Sequence, residues 1–274
     1  DADNRLTTVF TSADGVHWDK DAEYYYYLHG PLKRTTLGEL NVQGMDYAYT
    51  LHGWLKAVNG NTLNPTYEIG QDGYNPAAGS ATHPYVARDV FGYSLHYYTG
   101  DYTAIKRNLS PTTNHSFLLK EAGSSFEGAV KQLYNGNINR MVTALDKLGK
   151  DAVIGRAYEY DQLNRISKAH TFENSYNNTW LHSAGSDNFT SEYSYDANGN
   201  LTALKRNAAA GVTMDDLTYY YIPGTNQLSY VHDAVSASAF AHDIDQQWVK
   251  NGLGSTSNLA PIGQGYHLNS YIIP

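Results

Sequence analysis

Tyr193-Ser194-Tyr195-Asp196-Ala197-Asn198-Gly199-Asn200-Leu201 is the stretch that decides how this chain is read. Tyr193 and Tyr195 stand two residues apart, so on a strand they share one face. Asp196 accepts a hydrogen bond from backbone two residues on, which starts an Asx-turn. Asn198-Gly199 tolerates the positive φ that a tight hairpin demands. Leu201 opens a return strand with its side chain available to a core, while Lys205 and Arg206 are expected to reach solvent. The phrase is a strand–turn–strand unit.

It recurs outward in both directions. Tyr158-Glu159-Tyr160-Asp161-Gln162-Leu163-Asn164-Arg165-Ile166 is a second copy, and Tyr47-Ala48-Tyr49-Thr50-Leu51-His52-Gly53-Trp54-Leu55 is a third with Thr50 in the aspartate's place. Degraded copies run from Tyr25 to Arg34 and from Tyr219 to Leu228, with a short echo at Tyr134-Asn135-Gly136-Asn137-Ile138. Asp1-Ala2-Asp3-Asn4-Arg5-Leu6 reads as the back half of the phrase, so the chain is expected to be a piece of something longer. Tyr27 to Tyr49 is 22 residues, and Tyr195 to Tyr221 is 26, about the length of a hairpin and its connection. Self-similarity at such a period marks a repeat architecture. The turn-defining set is therefore Asp1, Asn4, Tyr47, Tyr49, Gly53, Tyr158, Tyr160, Asp161, Asn164, Tyr193, Tyr195, Asp196 and Gly199.

Composition agrees with strands. The 25 tyrosines outnumber the 7 phenylalanines and 4 tryptophans together, and aromatic side chains pair well across neighbouring strands. A Tyr-built core follows from that reading. The formal charge of −8 and the lack of a basic stripe argue against nucleic acid or anionic membrane as the partner. No cysteine is present, which removes disulfides, thiolate nucleophiles and Cys-based zinc sites. No run of about 18 apolar residues occurs, so a membrane-spanning helix is not expected.

Two segments break the rhythm within a repeat region over 1–239. Residues 59–87, rich in Gly, Pro and Asn, read as a long irregular excursion. Residues 124–134 carry serine caps, an acidic first turn and helical spacing, which predict one short helix. Residues 240–274 form a Gly-, Asn- and Ser-rich tail with no assignment.

The phrases resemble the YD-repeat, or RHS-repeat, family, whose unit is Tyr-x-Tyr-Asp-x-x-Gly/Asn-Arg-Leu. Asp1–Leu6, Tyr158–Ile166 and Tyr193–Leu201 are the close matches, with Asn200 standing where arginine is usual. The likeness extends over roughly residues 1–235, upstream of that family's conserved core. It implies an all-β fold of antiparallel hairpins stacked into a spiral sheet. It further implies a structural segment of a large secreted or surface-displayed bacterial protein, whose shell encloses or presents a C-terminal, toxin-like domain. The implied partners are other segments of the same polypeptide or that enclosed domain. Cell-surface glycans or a secretion apparatus are further partners if the chain serves as an adhesin. The family's self-cleavage signature contains Asp-Pro, a dipeptide absent from this chain, so autoproteolysis does not carry over.

Sites of chemistry fare poorly. The 11 histidines form no His-Glu-x-x-His or His-x-His arrangement, and a calcium loop begun at Asp196 would place Asn207 where a bidentate glutamate is required. Gly92-Tyr93-Ser94-Leu95-His96 is no nucleophile elbow. No cofactor, metal or catalytic set is assigned, and no enzymatic activity is expected. A carbohydrate-active enzyme would need two facing carboxylates that sequence cannot pair. Exposed aromatics can stack on sugars; Trp180, inside the polar loop 174–188, is the leading glycan contact, with Trp18, Trp54 and the Tyr97-Tyr98 pair behind it.

Overall fold

The computed structural model describes residues 1–65, 67–73, 83–103, 116–118, 130–146, 153–174, 180–181, 187–235, 240 and 247–248. Over these the protein is all-β, and successive strands pair antiparallel as hairpins laid edge to edge. Contacts divide the chain into two compact units, Asp1–Ala157 with Phe172–His182, and Tyr158–Thr171 with Ser183–Pro274.

The first unit carries β1 (Thr8–Thr11), β2 (Asp19–Tyr26), β3 (Leu32–Leu37), β4 (Gln43–Tyr49), β5 (Leu55–Val58), β6 (Phe91–His96) and β7 (Arg140–Leu145), hydrogen-bonded in that order. β8 (Val153–Tyr160) and β9 (Ile166–Asn174) form a hairpin whose strands are each divided between the units, and β10 (Trp180–Leu181) pairs with the end of β9. The second unit continues with β11 (Ser191–Tyr195), β12 (Leu201–Asn207), β13 (Thr213–Tyr221), β14 (Leu228–Asp233) and β15 (Gln247–Trp248), again in chain order. Consecutive pairing follows from the sequence: each short turn leaves the next strand only one place to hydrogen-bond, beside its predecessor.

A Tyr-built core is not what forms. Along β4 the fully buried positions are Gly44, Asp46 and Ala48, while Met45, Tyr47 and Tyr49 on the other face are half-buried. The same alternation buries Arg140, Val142 and Ala144 on β7. Tyr97 is the one tyrosine among the fully buried described residues. Phenol hydroxyls explain this, because a ring at half depth buries its edge and still finds a polar partner for its tip. The apolar core cluster is small: Val142, Ala144, Val153, Ala157 and Phe172, covered by Leu63 and Val130. Among described residues the buried polar side chains outnumber the buried apolar ones, 21 to 15, so the interior depends on how those polar groups are paired.

Residues 59–65, 67–73 and 83–87 hold turns, bends and isolated bridges instead of strands. The expected helix at 124–134 does not form in its described part. Residues 130–134 are irregular there, and Leu133 N donates to Tyr97 O at 2.7 Å, a hydrogen bond to the end of β6 that a helix would direct within itself. Residues 124–129 lie outside the described set, as does the 240–274 tail apart from 240 and β15. The described helical elements are two three-residue 3-10 turns, Ser116–Leu118 and Ala209–Gly211. No described helix is long and apolar enough to cross a membrane.

Candidate functional site

The recurring phrase builds one turn many times over. In each Asp-led copy, the backbone N of the aspartate donates to the carbonyl of the fifth residue, at 2.9 Å in all three copies (Asp1 to Arg5, Asp161 to Arg165, Asp196 to Asn200). The fourth residue closes the turn on the aspartate carbonyl at 3.1 Å, from Asn4, Asn164 and Gly199. That residue carries positive φ, 57° at Asn4, 62° at Asn164 and 89° at Gly199, which is why the phrase admits only Asn or Gly there. Asp161 Oδ1 accepts from the backbone N of Leu163 at 2.8 Å and of Arg165 at 3.0 Å, and Arg165 Nε meets Oδ2 at 2.6 Å. Asp1 with Arg5 and Asp196 with Asn200 repeat the set. These hydrogen bonds hold the Asp161 and Asp196 carboxyls below the usual range, Asp161 chiefly through the Arg165 backbone and Asp196 chiefly through the Asn200 side chain. Thr50 does the aspartate's work with one hydroxyl, accepting from Trp54 N at 3.2 Å. A one-residue register shift just before the turn accompanies it at Ala48/Tyr49, Ser194/Tyr195 and Tyr220/Tyr221, so the loop is a type I turn closed by a bulge rather than a two-residue hairpin.

Each turn is then clasped to the following hairpin. The tyrosine hydroxyl of the next copy donates to the carbonyl of the sixth turn residue: Tyr26 to Leu6 at 2.7 Å, and Tyr97 to Leu55, Tyr195 to Ile166 and Tyr221 to Leu201 at 2.9 Å. The fifth residue covers the same ring. Arg5 lies 4.6 Å from the Tyr26 centroid and Arg165 4.6 Å from that of Tyr195, while the Trp54 ring takes this place over Tyr97 at 4.9 Å. Arg165 Nη1 also reaches Asp196 O, in the next turn, at 3.0 Å. The consensus arginine thus holds its own aspartate, its neighbour's tyrosine and its neighbour's turn. Of the predicted turn set, Tyr47, Tyr49, Tyr158, Tyr160, Tyr193 and Tyr195 stand half-buried on incoming strands, and Asp1, Asn4, Gly53, Asp161, Asn164, Asp196 and Gly199 occupy the turns.

A second constellation lies in the first unit. Arg34 on β3 is buried, not solvent-facing. Its Nη1 donates to Asp46 Oδ2, and its Nη2 straddles Asp72 at 2.7 and 3.0 Å. Glu68 accepts from the backbone N of Gly70 and Asp72, and Asp89 accepts from Gln43 Nε2 at 3.0 Å. His83 Nδ1 stands 2.9 Å from Gly70 O and 3.6 Å from Asp72 Oδ1. The irregular excursion thus supplies Glu68, Asp72 and His83 to strands that supply Arg34 and Asp46. A Cβ at Gly44 would overlap Arg34 and Asp72, and one at Gly70 would overlap Asp46, so both glycines admit the cluster. Four buried carboxylates, of which two contact the single guanidinium, cannot all stay ionised. Burial pushes Asp46 up to about 6 against the pull of Arg34, with Asp72 pushing the same way as burial. Glu68 and Asp89 are raised too, both first by burial; Asp89 and Asp72 then push Glu68 up, while Asp72 and Asp46 push Asp89 up against a lowering hydrogen bond with Glu68. A parallel pair sits beneath β5 and β6, where buried Lys56 Nζ meets Asp101 Oδ1 at 2.8 Å and His96 Nδ1 at 2.9 Å. An ammonium donating to Nδ1 leaves the ring proton on Nε2, beside Ser94 Oγ.

Sequence reasoning missed both ion clusters. The available signal was alternation: Asp46 shares the β4 face of Gly44 and Ala48. Arg206 was expected in solvent and is instead half-covered, with Nε 2.7 Å from buried Asp215; Lys205 is exposed. The backbone of Trp180 lies in β10, paired with Asn174, rather than in a free loop; its side chain is outside the described residues. Trp18 is exposed, and Trp54 and Tyr97 belong to a clasp. Among described residues no group of three or more His, Asp or Glu could hold a metal ion.

No family model matches the chain, and no curated protein matches it. Solved structures give remote similarities. The crystal structure of TcdB2-TccC3-TEV is 13% identical with a TM-score of 0.37, covering 84% of this chain and 10% of that one. That of TcdB2-TccC3-Cdc42 is 11% identical with a TM-score of 0.19, covering 85% and 14%. That of TcdB2-TccC3 is 9% identical with a TM-score of 0.17, covering 86% and 15%. The chain therefore spans no more than about a seventh of the length of these structures.

Proposed function

We propose that the chain is a structural segment of a large secreted or surface-displayed protein of RHS type, a stretch of β-hairpin shell that encloses or presents a C-terminal domain. The observation that carries this reading is the clasp. A tyrosine hydroxyl and a covering fifth residue lock turn to hairpin in the same way at Leu6, Leu55 and Ile166, and the tyrosine alone repeats at Leu201. Such a lock passes from copy to copy without limit, as a wall requires and a compact catalytic body does not. Asp46 and Asp72 are buried and bridged by Arg34, which is not the open, facing pair of carboxylates that glycoside hydrolysis needs.

Limited proteolysis of the full-length polypeptide tests the proposal. Enclosure expects the C-terminal region to survive intact after linkers elsewhere are cut. Digestion of that region at the rate of the exposed linkers overturns it.

A further inference from the structure

One end of the first unit carries the turns that follow β2, β4 and β6, because alternate strands of an antiparallel sheet run the same way. Aromatic rings gather there beyond what the clasp needs. His52 lies flat on Trp54, with centroids 4.8 Å apart and planes 20° apart. Tyr98 meets His52 edge-on at 6.3 Å, and its hydroxyl lies 3.3 Å from His52 Nδ1. Tyr134 then stacks on Tyr98 at 4.7 Å and 27°, leaving its outer face in water with the residue 70% exposed. Gly136 beside the Trp54 ring is required by its φ of 90° and not by space, since a Cβ there would stand 3.4 Å from the ring, in ordinary contact.

The rim of this ledge is polar and fixed. Gln132 Oε1 accepts the Tyr134 hydroxyl at 2.9 Å, and Gln132 Nε2 donates to Thr99 Oγ1 at 3.2 Å. Lys131 is the one charged residue between 130 and 137. A flat, solvent-facing ring held by a stack, with an amide and a hydroxyl at its edge, complements the C–H face and equatorial hydroxyls of a pyranose. A proline-rich strand needs a slot between upright rings, and the outer pair, Tyr98 and Tyr134, is stacked with no slot between its rings. Because the rings are already packed on one another, a ligand orders little on binding. Tyr220 stacks on Tyr230 at 4.3 Å in the second unit with no such amide on its hydroxyl among the hydrogen bonds described, and serves as an internal control.

We propose that Tyr134, backed by Tyr98, His52 and Trp54 and edged by Gln132 and Thr99, is a binding platform for neutral saccharides. The site is independent of whether the hairpins enclose a cargo. Saturation-transfer NMR with methyl β-D-galactopyranoside, methyl β-D-glucopyranoside and a decaproline peptide tests it on the whole chain. Transfer to the C–H face of at least one glycoside is expected, falling about tenfold in Tyr134→Ala and persisting in Tyr220→Ala. Tyr134→Phe keeps the ring and is expected to retain most of the signal, which separates stacking from misfolding. No transfer from either glycoside, transfer unchanged in Tyr134→Ala, or a response to decaproline alone overturns the proposal.

Discussion

Hairpins β2–β5 and hairpins β11–β14 use the same turn and differ in what lies beneath it. Of the 21 buried polar side chains described, 17 belong to the first unit and four, Thr171, Thr190, Asp215 and Asp233, to the second. The first unit buries Arg34 with Asp46 and Asp72, and Lys56 with Asp101. The second holds Lys168 with Glu192 near the surface, and its partly exposed Arg206 covers the buried Asp215. A clasped turn is therefore enough to stack hairpins, and the ionic core does a separate job: it fastens the long excursion onto β3 and β4. Surface pairs contribute little, about 0–1 kcal/mol, whereas breaking a buried pair strands a charge.

Removing that charge should sharpen the contrast most. Arg34→Met is expected to cost the first unit about 3–5 kcal/mol, because Asp46 and Asp72 lose their shared cation. Lys168→Met should cost the second unit far less, about 0–1 kcal/mol, both members of its pair with Glu192 being partly solvated. Urea unfolding followed by hydrogen exchange resolves the two units; equal losses would break the comparison.

pH should act on the units with opposite sign. A carboxyl with a raised folded pKa binds its proton more tightly when folded, so its contribution is full below the unfolded value and lost as pH rises. For Asp46 the loss runs from its ordinary 3.8 through about 6, and Glu68 and Asp89 extend it upward. Asp161 and Asp196 are lowered, so they stabilise above the ordinary carboxylate range and fade as pH falls through their lowered values; being partly solvated, they do so weakly. Pulse proteolysis in urea at about pH 5 and about pH 9 should show the first unit losing stability with alkali and the second holding steady. First-unit resistance that grows toward pH 9 would contradict the assignment.

The clasp predicts smaller, matched effects. Tyr195→Phe and Tyr221→Phe each delete one hydroxyl and should each cost about 1 kcal/mol, read as a shift in urea midpoint at constant slope. Tyr97→Phe should cost at least as much, since its hydroxyl serves the same kind of carbonyl from a fully buried residue. Smallest is Asn200→Arg. It restores the consensus residue and can cover Tyr221, gaining about 0.5 kcal/mol in cation–π contact, but it gives up the 3.0 Å bond to Asn226 Oδ1. A midpoint shift within about half a kcal/mol is expected.

The turns were legible because their instructions are local. Asp196 reaches its partners within four residues, and Asn164 announces its positive φ by residue type. Arg165's second role was not legible, since the ring it covers lies thirty residues on, at Tyr195. The helical expectation at 124–134 failed in its described part for the same kind of reason: residue spacing cannot show that Leu133 has a better partner in Tyr97.

By itself the sequence determined the unit: aromatic strand, aspartate turn, return strand, and therefore an all-β chain of consecutive hairpins. Only the tertiary structure decided the interior. Whether Arg34 meets water or Asp72 depends on an excursion 38 residues away folding back over β3 and β4. Hydrogen bonds within a turn are encoded by neighbours along the chain, but the free energy of a buried charge depends on what packs against it, and that is set by residues far apart in sequence.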